Sequence, residues 1–458
     1  MIFSSITFLY YFFPAVLLAY FIVPEKFKNA VLLIGSFAFY GWGEPKYLFL
    51  MIASILMFYL CGLAIEKSKE KKYKKFWLAI SIGVSLAFLG IFKYADFFIE
   101  NFNKVTGMNI ALLRLALPVG ISFYTFQCLS YTIDLYREKV QVQKNIINFA
   151  TYVSLFPQLI AGPIVRYVDI SKEIDHRSHS IEQVLHGFKR FLIGLAKKII
   201  IADNLALLIA IFRDSNEQSV VFYWMYAIAF TLNIYFDFSG YSCMAIGLGE
   251  IFGFKFPENF SYPYMSKSIT EFWRRWHISL GSWFRDYVYI PLGGNRVSKG
   301  RSIFNILVVW SLTGLWHGAS WNFVLWGLFY GVIMAMEKLM AKKTSMPKGV
   351  GHIYVLSVVV LGFVLFNGDS FSQIANDFLC LFGHGGLPIF TNETGYYLRS
   401  YAVLFFVGFI GATPFPRILA EKYIKNQVVE TLFYILILLV CTGYLVDGSF
   451  SPFLYFRF

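Results

Sequence analysis

His317 is the residue of this 458-residue chain whose type and setting point most directly to chemistry. It lies in Thr313-Gly314-Leu315-Trp316-His317-Gly318-Ala319-Ser320-Trp321, within a hydrophobic region from about 303 to 337. An ionisable side chain there is costly to bury unpaired, so it marks a functional position by default. Imidazole titrates near neutral pH, and a neutral His317 could take a proton from a hydroxyl and later release it. In this reading Gly314 and Gly318 leave space beside the ring, and Trp316 and Trp321 wall a cavity. The competing reading is a neutral histidine hydrogen-bonded between helices.

Other polar groups stand at regular spacing. Ser268-Ile269-Thr270-Glu271 fits a capping box and predicts a helix that begins at Ser268. Continued at helical spacing, Trp273, His277, Leu280 and Phe284 share one face. Glu271, Arg275, Ser282 and Asp286 share another, with Arg274 and Arg285 close by. Such guanidinium groups could meet phosphates at a membrane surface. On these residues alone His277 reads first as a packed histidine of an interfacial helix. In the apolar segment 221–248, Asn233, Asp237 and Tyr241 recur at i, i+4 and i+8. Asp237 must be paired, neutralised or wet. It could orient a histidine or pair with an arginine of residues 262–301, structural pairing being the favoured reading. His176, His179, His186, His352 and His384 lack ligand spacing and read as solvated. The five cysteines lack any C-x-x-C pair and read as small packing residues, so no metal site is expected. Phosphate-loop, dinucleotide, zinc-protease and serine-esterase motifs are missing.

The elements that must hold these groups follow from composition. The chain is 57% hydrophobic, 20% aromatic and only 15% charged, with a mean hydropathy of +0.59. A water-exposed surface needs roughly a quarter of residues charged, so this is an integral membrane protein. At about 20 residues per crossing its length allows roughly ten to thirteen spans, with one polytopic domain over residues 1–458 as the default. Within it, N-terminal spans over 1–110 and C-terminal spans over 350–458 flank a motif-bearing core of about 115–340. The net charge of +13 suits basic cytoplasmic loops and does not imply nucleic acid. Residues 1–23 lack the basic start of a cleavable signal and read as a retained first span. Lys26 and Lys28, then Lys67 through Lys75, then Arg137, Lys139 and Lys144 alternate with lysine-poor turns. Lys338, Lys342, Lys343 and Lys348, and later Arg417, Lys422 and Lys425, mark further inner loops, which places both termini outside. Residues 262–301 break this rhythm and predict an interfacial or re-entrant segment, tolerated at membrane depth only against protein or a wet cavity.

Six ordered blocks carry a resemblance. They are Ile160-Ala161-Gly162-Pro163-Ile164-Val165-Arg166-Tyr167, Tyr235-Phe236-Asp237-Phe238-Ser239-Gly240-Tyr241-Ser242, Glu271 through Leu280, Trp283-Phe284-Arg285-Asp286-Tyr287, Pro291 through Arg296, and Gly314-Leu315-Trp316-His317-Gly318. With the run Pro452 through Phe458 they make the chain similar to the membrane-bound O-acyltransferase (MBOAT) family, in particular its alginate O-acetylation (AlgI-like) branch. The resemblance implies an all-α fold. Its form is a ring of about eleven transmembrane helices with re-entrant or interfacial helices around a central tunnel. The resemblance also places the family's paired histidines on His277 and His317, the second as the catalytic one, and so overturns the bland reading of His277. One departure is Cys243, which stands where the family usually has Asp.

The activity so implied is transfer of an acetyl group from cytoplasmic acetyl-CoA toward hydroxyls of an extracellular or periplasmic polysaccharide. The enzyme would sit in the plasma or inner membrane, with an extracellular SGNH-type acetyltransferase as partner and no bound cofactor. Trp273, Arg274, Arg275, Trp276, Arg285 and Trp316 would bind the donor or wall its path, and Asp237 and Tyr241 would support the site. The nearest alternative is a teichoic-acid D-alanyltransferase fed by a carrier protein. Those relatives usually have Asn at the place of Arg274 and lack the Pro291–Arg296 block. A transporter or proton channel using His277, His317 and Asp237 would be expected to carry inverted repeats, and none is found.

Overall fold

A computed structural model describes residues 1–340 and 347–448. Lys342, Lys343 and the run Pro452–Phe458 lie outside the described residues. Among those described the regular structure is helical, and its one β-type pairing is an isolated bridge between Phe260 and Trp276. Backbone hydrogen bonds closed within each segment are what a hydrocarbon surrounding demands.

Six described helices are long and apolar enough to cross a membrane: Pro45–Lys67, Lys71–Thr106, Val220–Ile251, Trp321–Met340, Gly349–Asn367 and Gln427–Val446. A bent pair, Asn392–Gly411 and Phe415–Tyr423 at 78°, makes up to seven. The count of about eleven is therefore not reached by helices of full length. Residues 1–23, expected to cross, carry the shorter apolar helix Phe8–Ile22.

The helix Pro45–Lys67 illustrates the local logic. Pro45 opens it, where a missing N–H costs nothing. Met51, Ser54, Ile55, Phe58, Cys61, Gly62 and Ile65 recur three or four apart and form its buried stripe. Phe49, Leu56 and Leu60 remain exposed on the other side, an apolar outer face that fits lipid.

The chain divides into two compact units. One comprises Met1–Phe191 with Ser242–Glu258, and the other Leu192–Tyr241 with Asn259–Phe458. All the residues that could do chemistry identified above fall in the second unit. Its core is aromatic, with Tyr235, Tyr264, Phe272, Trp276, Trp310, Trp326 and Tyr330 buried together. Residues 262–301 contain no span, as expected. They form a 3₁₀ turn at Pro263–Met265, two short helices at Ile269–Arg275 and Ile278–Phe284, a π-helical turn at Arg285–Tyr289, and tight turns through Gly293 and Gly294.

The hydrophobic region 303–337 is a helical hairpin, Lys299–His317 followed by Trp321–Met340. Gly314 and Gly327 let its two backbones touch. A Cβ on Gly314 would meet the Phe323 carbonyl and lie 3.3 Å from the Gly327 Cα, and one on Gly327 would meet the Trp310 carbonyl. A Cβ on Gly318 would enter the Phe323 ring. These glycines serve close helix packing, and the space expected beside the imidazole is filled.

Candidate active site

The helix Lys299–His317 ends at its own histidine, because Gly318 turns the chain into extended backbone. His317 is 5% exposed and meets aromatic rings edge-on, among them Trp316 and Trp326 at 5.1 Å and Phe366 at 5.4 Å between centroids. Trp316 is buried as expected, whereas Trp321 is 46% exposed. Phe366 comes from the end of the helix Lys348–Asn367, where the Asn322 amide donates to its carbonyl oxygen at 3.3 Å.

His277 reaches the same place by a break in the chain. The predicted continuous helix from Ser268 is cut in two: Trp276 is extended and His277 is left-handed, at φ 45° and ψ 52°. A histidine in that region is uncommon and must be held by its surroundings. The surroundings are backbone partners. Ser261 N–H donates to the Arg275 carbonyl at 2.9 Å, and Ile278 N–H donates to the Asn259 carbonyl at 3.0 Å. The face shared by Trp273, His277, Leu280 and Phe284 therefore does not exist. The imidazole lies 3% exposed against Phe238 at 4.6 Å and Trp316 at 5.7 Å. One indole, Trp316, thus contacts both imidazoles. Burial pulls the pKa of His277 well below the ordinary histidine value, so its neutral form is favoured.

The capping box is half formed. Ser268 accepts from the Glu271 N–H at 3.0 Å, but Glu271 reaches back to the N–H of Lys267 rather than of Ser268. That bond first, and Arg275 second, hold the Glu271 carboxyl below its usual range. Glu337, from the far end of the hairpin, completes the cap, accepting from the N–H groups of Ile269 and Thr270 at 2.6 and 2.8 Å.

The expected donor-binding residues separate into different settings. Trp273 is packed among Trp310, Trp326 and Tyr330. Trp276 is buried between Phe272, Phe260 and Phe363. Arg275 is engaged by Glu271 at 2.8 Å, Arg285 is exposed beside Asp286 at 2.7 Å, and Arg274 is exposed.

Asp237 pairs, as favoured, but with a lysine and not an arginine. Lys198 Nζ lies 2.8 Å from Asp237 and 2.7 Å from Asp203, and both Asp237 and Lys198 are 2% exposed. Asn233, one turn before Asp237, donates to the Ala202 carbonyl at 2.7 Å. Tyr241 is buried at 3% exposure. Cys243 lies near Arg190, whose guanidinium is held by Glu250 and Glu258. Of the histidines read as solvated, His186 is exposed while it bonds Glu250, whereas His179 and His352 are half-buried and bonded to Tyr20 and to the Ser266 carbonyl.

A model of the MBOAT, membrane-bound O-acyltransferase family, matches residues 39–372, the stretch that carries all of these groups. The chain belongs to this family. As an MBOAT protein it is a multi-pass membrane O-acyltransferase. It is 37% identical to the probable alginate O-acetylase AlgI of Pseudomonas putida over 485 aligned residues, covering 100% of both chains. It is 40% identical to the protein of the same name from Pseudomonas aeruginosa, over 84% of this chain and 75% of that one. The peptidoglycan O-acetyltransferase of Helicobacter pylori is 33% identical over 85% of this chain and 81% of its own.

Asn259, Glu337, Lys198 and Phe366 escaped the sequence reading. Each acts on a group 18 or more residues away in sequence, as Asn259 does on His277 or Phe366 on His317, and spacing along one helix cannot reveal such contacts.

Proposed function

We propose that this MBOAT protein moves an acetyl group from cytoplasmic acetyl-CoA toward hydroxyls of an extracellular or periplasmic polysaccharide, with an SGNH-type partner completing transfer outside. The observation that carries the reading is the meeting of two buried imidazoles, His277 and His317, on the ring of Trp316. The names of the relatives, alginate O-acetylase and peptidoglycan O-acetyltransferase, support acetyl as the group and a polysaccharide as the acceptor.

Neither a charged thioester carrier nor a polysaccharide can enter lipid, so donor and acceptor must approach through opposite mouths of the protein. The lysine-rich loops orient the chain with both termini outside. His317 accepts the proton of the acceptor hydroxyl as its oxygen attacks the thioester carbonyl. The C–S bond then breaks, and the proton leaves with the thiolate as free thiol. Holding both substrates beside one imidazole supplies proximity. Of the three arginines offered to the donor, Arg274 and Arg285 are exposed and fit its phosphates, while Arg275 serves the helix through Glu271.

Radiolabelled acetyl-CoA supplied to the cytoplasmic face of proteoliposomes tests this. Label should appear in polymer outside, and His317→Ala and His277→Ala should each lower it by about 10²–10⁴-fold at unchanged protein abundance. Polymer labelling by His317→Ala at the wild-type level would refute the catalytic role. Transfer of D-alanine from a carrier protein in place of acetate would refute the donor.

A further inference from the structure

Asn259 is fully buried, and its side-chain oxygen faces three polar atoms. The Ser279 backbone N–H lies at 3.3 Å, the Ser279 hydroxyl at 2.9 Å and His277 Nδ1 at 3.2 Å. A peptide N–H can only donate, so the amide atom facing it must be the oxygen and not the NH₂ group. Any imidazole nitrogen that bonds the same oxygen must then carry a proton. A neutral imidazole has one proton, so its other nitrogen, Nε2, keeps the lone pair. The same asparagine takes the Ile278 N–H on its main-chain carbonyl at 3.0 Å, and so also holds the residue that follows the left-handed turn.

We propose that Asn259 is a positioning residue that fixes His277 as its Nδ1–H tautomer and anchors the turn at which the imidazole leaves the helix, so that Nε2 presents an acceptor to the site. This rests on the reading above that His277 belongs to the site. It assigns His277 a definite half of the chemistry. His277 can accept a proton or hydrogen bond from a substrate O–H or N–H, and in its neutral form it cannot donate one to a developing oxyanion. The carbonyl oxygen of the thioester must be stabilised by another group.

The test is ¹⁵N spectroscopy of the full chain in lipid bilayers with labelled histidine, the His277 signals being identified by their loss in His277→Gln. The wild type should show a protonated Nδ1 and a bare Nε2. Asn259→Asp keeps an acceptor in place and should keep Nδ1 protonated. Asn259→Ala should move the proton to Nε2 and lower kcat by about 10–100-fold, the usual cost of losing an orienting partner, with KM for acetyl-CoA little changed. A wild-type His277 protonated on Nε2 alone would overturn the proposal, as would Asn259→Ala with the tautomer unmoved. The wild-type spectrum alone decides the matter if Asn259→Ala fails to accumulate. A tautomer that moves while turnover stays constant would overturn the placement of His277 in the site, and with it any catalytic consequence of Asn259.

Discussion

Gly314→Ala adds one methyl group at the tightest point of the hairpin that carries His317. The new Cβ would lie 3.0 Å from the Phe323 carbonyl carbon, 3.3 Å from the Gly327 Cα and closer still to the Phe323 oxygen. All three are backbone atoms and cannot rotate away. Carbon atoms settle about 3.5–4.0 Å apart, so the two helices must part by roughly 1 Å. Overpacking of this kind costs about 1–3 kcal/mol, which lowers the melting temperature without preventing folding. His317 lies three residues on in the same helix, about 4.5 Å along its axis, so the displacement reaches the imidazole nearly undiminished. A misplacement of about 1 Å costs on the order of 10²-fold in turnover. Acetyl transfer in proteoliposomes at matched protein amounts reads this directly. Gly300→Ala serves as the control, because its Cβ would meet no atom within 4 Å in the first turn of the same helix. Gly314→Ala working at the wild-type rate would refute the claim that this backbone crossing sets the position of His317.

Two further outcomes follow from the buried polar groups. Lys198→Met removes the cation between Asp237 and Asp203 and leaves Asp237 charged and buried, a loss of about 3–5 kcal/mol that should appear as a sharply lower melting temperature in detergent. An unchanged melting curve would mean that the pair contributes nothing. Glu337→Ala leaves the first N–H groups of Ile269–Arg275 without their acceptor, at about 0.5–2 kcal/mol, and should raise KM for acetyl-CoA more than it lowers kcat. The reverse pattern would show that this short helix does not serve the donor.

Much of this was legible in the chain itself. Helical membrane architecture follows from hydropathy, which is local, and the stripes of Pro45–Lys67 obey simple periodicity. The interruption over 262–301 was visible as a missing apolar run. His277 became legible as a site residue only through resemblance, because Glu271 to Phe284 carries an unbroken helical pattern. The break at His277 is imposed by Asn259 and Ser261, whose main-chain groups capture Ile278 and Arg275 from outside the helix. Gly314 and Gly318 suggest room for a ring in the sequence, since a glycine alone does not say which neighbour takes the vacant volume. Asp237 announced that it needed a partner but not which one. Lys198 stands in a π-helical stretch, Lys197–Asp203, whose altered register ordinary helical spacing does not foresee.

The hairpin of His317 has one unyielding side and one that can give. Toward Trp321–Met340 the contact is main chain against main chain at Gly314 and Gly327, and no rotamer change can loosen it. Toward Lys348–Asn367 it is imidazole edge-on against the Phe366 ring, a side-chain contact worth about 0.5–1.5 kcal/mol that a rotamer change can release. Admission of a bulkier acyl chain should therefore respond to the size of residue 366 far more than to any change along the glycine seam, and chain-length preference becomes a property of the helix that follows the hairpin.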